Sequence, residues 1–136
     1  MNILLDTNVL LDFLTFSEPF SDDACVIMDH CCKKVVNGFI AAHTIMDAIY
    51  ILRKQIPLDK RRQLMLDFME FLTVVGIDQD KIIAALENED FSDVEDCLQD
   101  ECAKACGADY IVTRNIRDYK NSTVPAIMPD EFLKLV

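Results

Sequence analysis

The chain has 136 residues, 51% of them apolar, and a formal net charge of −11 from 24 acidic against 13 basic side chains. That length suits one domain with a real core, and no run approaches the roughly 20 apolar residues that a membrane helix needs. So acidic a balance argues against a broad nucleic-acid-binding face, but not against a site where bound cations invert the local sign.

Asn2-Ile3-Leu4-Leu5 is an apolar run that stops at Asp6. It reads as a strand buried on both faces, with an acid at the carboxyl end, where ligands collect in open parallel sheets. Leu10, Leu11, Phe13, Leu14 and Phe16 suggest a short helix, interrupted by Ser17-Glu18-Pro19. Ser21 is suited to cap a second helix, with Asp22 and Asp23 in its first turn and Lys33-Lys34 at its end. Val35 to Ile40 is a predicted second strand and Thr44 to Lys54 a helix. Pro57 and Asp59 start another helix, on which Leu64, Met65, Phe68, Met69 and Leu72 recur at helical spacing. Thr73 to Ile77 is a predicted third strand, and Asp78 caps the helix after it. Ser92 opens a helix to about Cys106, with Glu95 completing a capping box and Gly107 at the stop. Strands at Ala108 to Thr113 and Val124 to Ile127, then a helix from Pro129 to Leu133, complete the chain. Strands alternating with helices predict right-handed βαβ units, so the expectation is one α/β domain over residues 1–136 with a mostly parallel sheet.

This topology draws three acids to one rim. Asp6 ends the first strand, Asp47 lies in the first turns of the helix leaving the second, and Asp96 lies near the start of the Ser92 helix. Carboxylates from such distant segments repel unless cations bridge them. Each has a plainer reading. Asp47 alone suits an exposed helix acid, and Asp96 could serve the helix dipole, worth roughly 0.3–1 kcal/mol. The capping box already satisfies that helix start, which leaves Asp96 free for other work. Asp93, Glu95 and Asp100 read as capping or solvated charges. Asp6, at the end of a buried strand, is costly unless used or paired.

The start has no basic segment of the secretory kind, and Asp6 breaks its apolar run. The six cysteines therefore read as reduced thiols of a cytoplasmic protein. Cys97, Cys102 and Cys106, and His30-Cys31-Cys32, lack the paired arms of a zinc site and suit the core; His43 suits a capping or packing role.

Leu4-Leu5-Asp6-Thr7-Asn8-Val9-Leu10, Ala42 to Tyr50 around Asp47, Asp93-Val94-Glu95-Asp96-Cys97-Leu98, and Gly107 to Asn115 resemble the four signature blocks of the PIN domain. They stand in the family's order and spacing and cover essentially the whole chain. The resemblance, to VapC-like or PilT N-terminus-type ribonucleases, implies a three-layer α/β/α sandwich with a central, mostly parallel sheet of about five strands. It implies a Mg²⁺- or Mn²⁺-dependent ribonuclease acting on RNA, in some members the toxin of a toxin–antitoxin pair held by an antitoxin protein, and often a homodimer.

Carried over residue by residue, Asp6 matches the first metal-binding acid and Asp96 the third. Asp47 stands where the second, most often Glu, is found. The fourth acid commonly follows the Thr-Arg pair, where this chain has Asn115, and Asp118 is available in the same loop. Thr7, Asn8 and Thr113 match small polar residues that hold the acids. Arg114, Arg117, Arg53 and Lys54 are candidates for gripping RNA phosphates, with a solvated face as the equal alternative. Two rivals stay open. One is a catalytically weak PIN-fold module that binds RNA or a protein, favoured by Asn115 and the acidic surface. The other is an unrelated phosphatase with Asp6 as nucleophile, disfavoured because Asn8 stands where that chemistry wants a second acid.

Overall fold

The computed structural model describes all residues, 1–136. Strands β1 (Asn2–Leu5), β2 (Asn37–Ala41), β3 (Leu72–Val75), β4 (Tyr110–Val112) and β5 (Ala126–Ile127) alternate with helices α1 (Thr7–Thr15), α2 (Ser21–Cys32), α3 (Ala42–Ile51), α4 (Leu58–Phe68), α5 (Gln79–Glu87), α6 (Val94–Ala105) and α7 (Pro129–Leu133). All strand pairs are parallel, in the order β3-β2-β1-β4-β5. The chain builds outward from β1 through β2 to β3, then returns to lay β4 and β5 on the other side. The switch point therefore falls between β1 and β4, where a crevice opens beyond the carboxyl ends of the strands.

β1 is the central strand, and Ile3, Leu4 and Leu5 are fully buried because helices cover both faces. Ile3 and Leu5 join the larger core with Val9, Leu10, Ile27, Met65, Phe68 and Phe132, so α1, α2, α3, α4 and α7 form one layer. Leu4 joins Ala41, Cys102, Ala103, Ile111 and Tyr119 on the other face, under α6. The result is the α/β/α sandwich with a five-stranded parallel sheet. Cys31, Cys97 and Cys102 are buried core side chains, and no helix is long and apolar enough to cross a membrane.

Several boundaries differ from the sequence expectation for local reasons. α1 starts at Thr7, because the Asp6 carboxylate accepts from the Thr7 amide and caps it. Val35 and Val36 lie in the turn before β2. Leu72 belongs to β3, paired opposite Gly38, and α4 stops at Phe68; the apolar spacing simply runs on through the junction. Asp93, not Ser92, caps α6, its Oδ1 accepting from the amides of Glu95 and Asp96 at 2.8 and 3.3 Å. Ser21 sits inside α2 and donates to Glu18 at 3.1 Å.

Candidate functional site

Beyond the carboxyl ends of β1 and β4 lies a cavity of about 290 Å³. It is lined by Asp6, Thr7, Asn8, Leu11, His43, Asp47, Ile51, Glu95, Asp96, Gln99 and Asn115. No Lys or Arg lines it. The first residues of α1, α3 and α6 all deliver side chains here, because each helix runs antiparallel to the strands and puts its N-terminus at this rim.

Asp6 is only 8% exposed and sits in a web of donors. Its Oδ1 accepts from the Thr7 amide at 2.7 Å and from Gln99 Nε2 at 3.2 Å. Its Oδ2 accepts from Thr113 Oγ1 at 2.8 Å and from Asn8 Nδ2 at 3.2 Å. Each oxygen thus has one short bond and one long, weaker one. Burial raises the Asp6 pKa, and the bonds from Thr113 and Thr7 oppose it. Gln99, 2% exposed, also donates to Thr44 Oγ1 at 3.2 Å, and the Thr44 and Thr7 hydroxyls pair at 3.0 Å. Gln99 Oε1 is buried without a partner.

Asp96 is half-buried and takes a long hydrogen bond, 3.4 Å, from the Tyr119 phenol. Burial first, then the charges of Asp93, Asp6 and Asp118, lift its pKa to about 7. Tyr119 is buried beside both Asp6 and Asp96; burial, then those two charges, push its phenol upward and keep it protonated. Glu95 is likewise lifted to about 7, first by a hydrogen bond shared with Asp47, then by burial. His43 is lowered by burial, against the pull of Asp47, Asp6 and Asp93. Acids whose pKa values are lifted toward neutrality in one cavity, with no Lys or Arg beside them, are characteristic of a site built for something positive.

The family model described as the PIN domain matches residues 2–117. The chain belongs to the PIN domain family. Solved structures with the same fold include VapBC2 from Rickettsia felis bound to a promoter DNA fragment, at 17% identity, TM-score 0.68, over 94% of this chain and 98% of that one. A toxin–antitoxin complex from Klebsiella pneumoniae is 18% identical with TM-score 0.69, over 93% and 97% of the two chains. FitAcB from Neisseria gonorrhoeae is 14% identical with TM-score 0.59, over 93% and 97%. No curated protein matches the sequence.

In this PIN domain Asp6, Asp47, Asp96 and Asn115 share the cavity, together with Thr7 and Asn8. Asp6, Asp47 and Asp96 do not form one tight group, however. The set of ligand atoms within 4.8 Å of one another comes from His43, Asp47 and Glu95. Asp118 lies outside the lining and acts on Asp96 through its charge. Thr113 is fully buried and bonds Asp6 and Asn8.

The expected phosphate-gripping arginines divide. Arg114 is committed to the buried Asp12 by two bonds, Nε to Oδ2 at 2.6 Å and Nη2 to Oδ1 at 3.1 Å, with Phe20 stacked 4.1 Å from its Cζ. Its charge is paired within the fold. Arg117 is exposed on the loop beside the cavity, and Arg53 and Lys54 follow Ile51 on its flank, with Arg53 stacked on Tyr50 at 3.8 Å.

Sequence reasoning missed Gln99, Thr44, Tyr119 and Asp12, and discounted His43 and Glu95. Gln99 carried a weak signal, since it follows Asp96 by three on one helix face. Asp100, read as a solvated charge, is 2% exposed and accepts from the Thr123 and Val124 amides at 3.0 Å, pinning the loop before β5.

Proposed function

We propose that this chain, acting as one domain over residues 1–136, is a divalent-metal-dependent endoribonuclease of the PIN type that hydrolyses RNA phosphodiesters. The observation that carries the reading is the cavity at the β1–β4 switch point. It gathers Asp6, Asp47, Glu95 and Asp96 with no Lys or Arg to neutralise them. The donors fit a hard cation, because carboxylates are oxygen ligands of the kind Mg²⁺ and Mn²⁺ take.

Asp6 and Asp96 would hold the ion, with Asp47 reaching it across the cavity through water and the Asn115 carbonyl at the rim. Such an ion, when bound, supplies an acidified water and positive charge opposite the scissile phosphate. Thr113, Asn8, Thr7 and Gln99 fix the Asp6 carboxylate in one orientation, and their longer bonds to it are the ones that yield to a stronger partner. Tyr119 keeps its proton and steadies Asp96. Arg117, with Arg53 and Lys54 on the flank, would hold neighbouring phosphates and so position the strand. Asp118 adds to the acidity of that rim.

The toxin–antitoxin complexes of the same fold support a toxin role here, with an antitoxin protein as partner and a homodimer as assembly. Such a protein would work in the cytoplasm. The rival, a catalytically weak scaffold that binds RNA or protein, draws on neutral Asn115 at the fourth acid's position. RNA cleavage that requires a divalent cation and disappears in Asp6→Asn separates the two.

A further inference from the structure

His43 and Asp47 stand four residues apart on α3 and so project from one face of that helix, a spacing that lets a helix present two ligands to one ion. Glu95, from the first turn of α6, meets them from the other side, and one ligand atom from each of the three lies within 4.8 Å of the others. This group is compact where the Asp6–Asp47–Asp96 set is not. Two further features point to a missing partner in the same cavity. His43 Nδ1 is buried with no hydrogen-bond partner, and Gln99, 2% exposed and in the lining of the same cavity, leaves its Oε1 without one.

We propose that His43, Asp47 and Glu95 form a second cation site beside Asp6 and Asp96, one that takes a transition-metal dication such as Mn²⁺ in preference to Mg²⁺. The preference follows from the donors. Mg²⁺ is held by oxygen ligands, whereas an imidazole nitrogen favours the first-row transition metals. The Asp6–Asp96 seat offers oxygen alone, and the His43 seat offers one nitrogen and two carboxylates. The cavity would therefore sort two ions by chemistry. The inference deepens the metal-dependent reading above and rests on it.

Paramagnetic resonance of Mn²⁺ on the intact protein tests this without reference to activity. In excess Mg²⁺ the wild-type chain is expected to retain one Mn²⁺, with nitrogen modulation in its electron spin echo. His43→Gln and Glu95→Gln are expected to lose that ion, and Glu95 is exposed, so its variant should fold. Asp6→Asn is expected to keep the nitrogen-coordinated Mn²⁺ while losing Mg²⁺ binding, followed by calorimetry. Release of all Mn²⁺ by Mg²⁺ in the wild type would overturn the proposal, as would unchanged Mn²⁺ in both His43→Gln and Glu95→Gln. Unchanged Mg²⁺ binding in Asp6→Asn would instead count against the Asp6 seat, a separate failure.

Discussion

The Arg114 guanidinium grips the Asp12 carboxylate through two hydrogen bonds, across 102 positions of sequence, and ties α1 to the loop after β4. Asp12 is 2% exposed, so it has no recourse to water if Arg114 is removed. Breaking one side of a buried pair typically costs about 3–5 kcal/mol. Arg114→Ala is expected to lower the unfolding free energy by about 3 kcal/mol, with RNA affinity falling only in proportion to unfolded protein. Chemical denaturation beside RNA binding measures both; a stable Arg114→Ala protein with weak RNA binding would return Arg114 to the substrate.

Gln99 orients Asp6 without being able to hold charge itself. Groups that orient a metal ligand typically contribute 10–100-fold to affinity or rate. Gln99→Leu is expected to reduce cleavage about tenfold while the protein stays folded, and Gln99→Glu to reduce it further by placing a second acid against Asp6. Initial rates on a single RNA, with melting curves as control, decide this. Full activity in Gln99→Leu contradicts it.

Asp96 and Glu95 both have folded pKa values of about 7, above the usual carboxylate range. Between about pH 4 and that value the folded chain binds more protons than the unfolded one, so stability falls as pH rises through the window and levels off above it. In EDTA the melting temperature is expected to be higher at mildly acidic pH than at alkaline pH. Mn²⁺ should restore it at alkaline pH by taking the protons' place. A melting temperature that rises with pH in EDTA contradicts the assignment of these two acids.

Gly38 on β2 is required by close approach. A Cβ there would lie 2.5 Å from Leu72 Cδ2 and 2.6 Å from Cys31 Sγ, both in the core. Gly38→Ala is expected to cost about 1–3 kcal/mol through overpacking, measured by urea unfolding, with the cavity chemistry unchanged in the folded fraction.

The sheet was legible in the sequence because β1, buried on both faces, reads as an unbroken apolar run that ends on an acid. Asp6, Asp47 and Asp96 were placed at one rim by the direction in which helices run against the strands of a parallel sheet. What the sequence hid was the neutral and paired chemistry. Gln99 and Tyr119 gain their roles from burial between acids that only the fold brings together. Asp12 and Arg114 look like an ordinary helix acid and a loop base until the chain closes. The shift of the α6 cap from Ser92 to Asp93 turned on a single residue, which two adjacent capping side chains leave open.

Cleavage of a mixed single-stranded and structured RNA pool by the purified protein, with Mg²⁺, Mn²⁺ or EDTA, beside Asp6→Asn and Asp96→Asn, tests metal-dependent nuclease action most directly. Cutting is expected to need the cation and to be lost in both variants while their folds persist. Cutting that survives EDTA and both substitutions, or none at all from a well-folded wild-type protein with either metal, would contradict it.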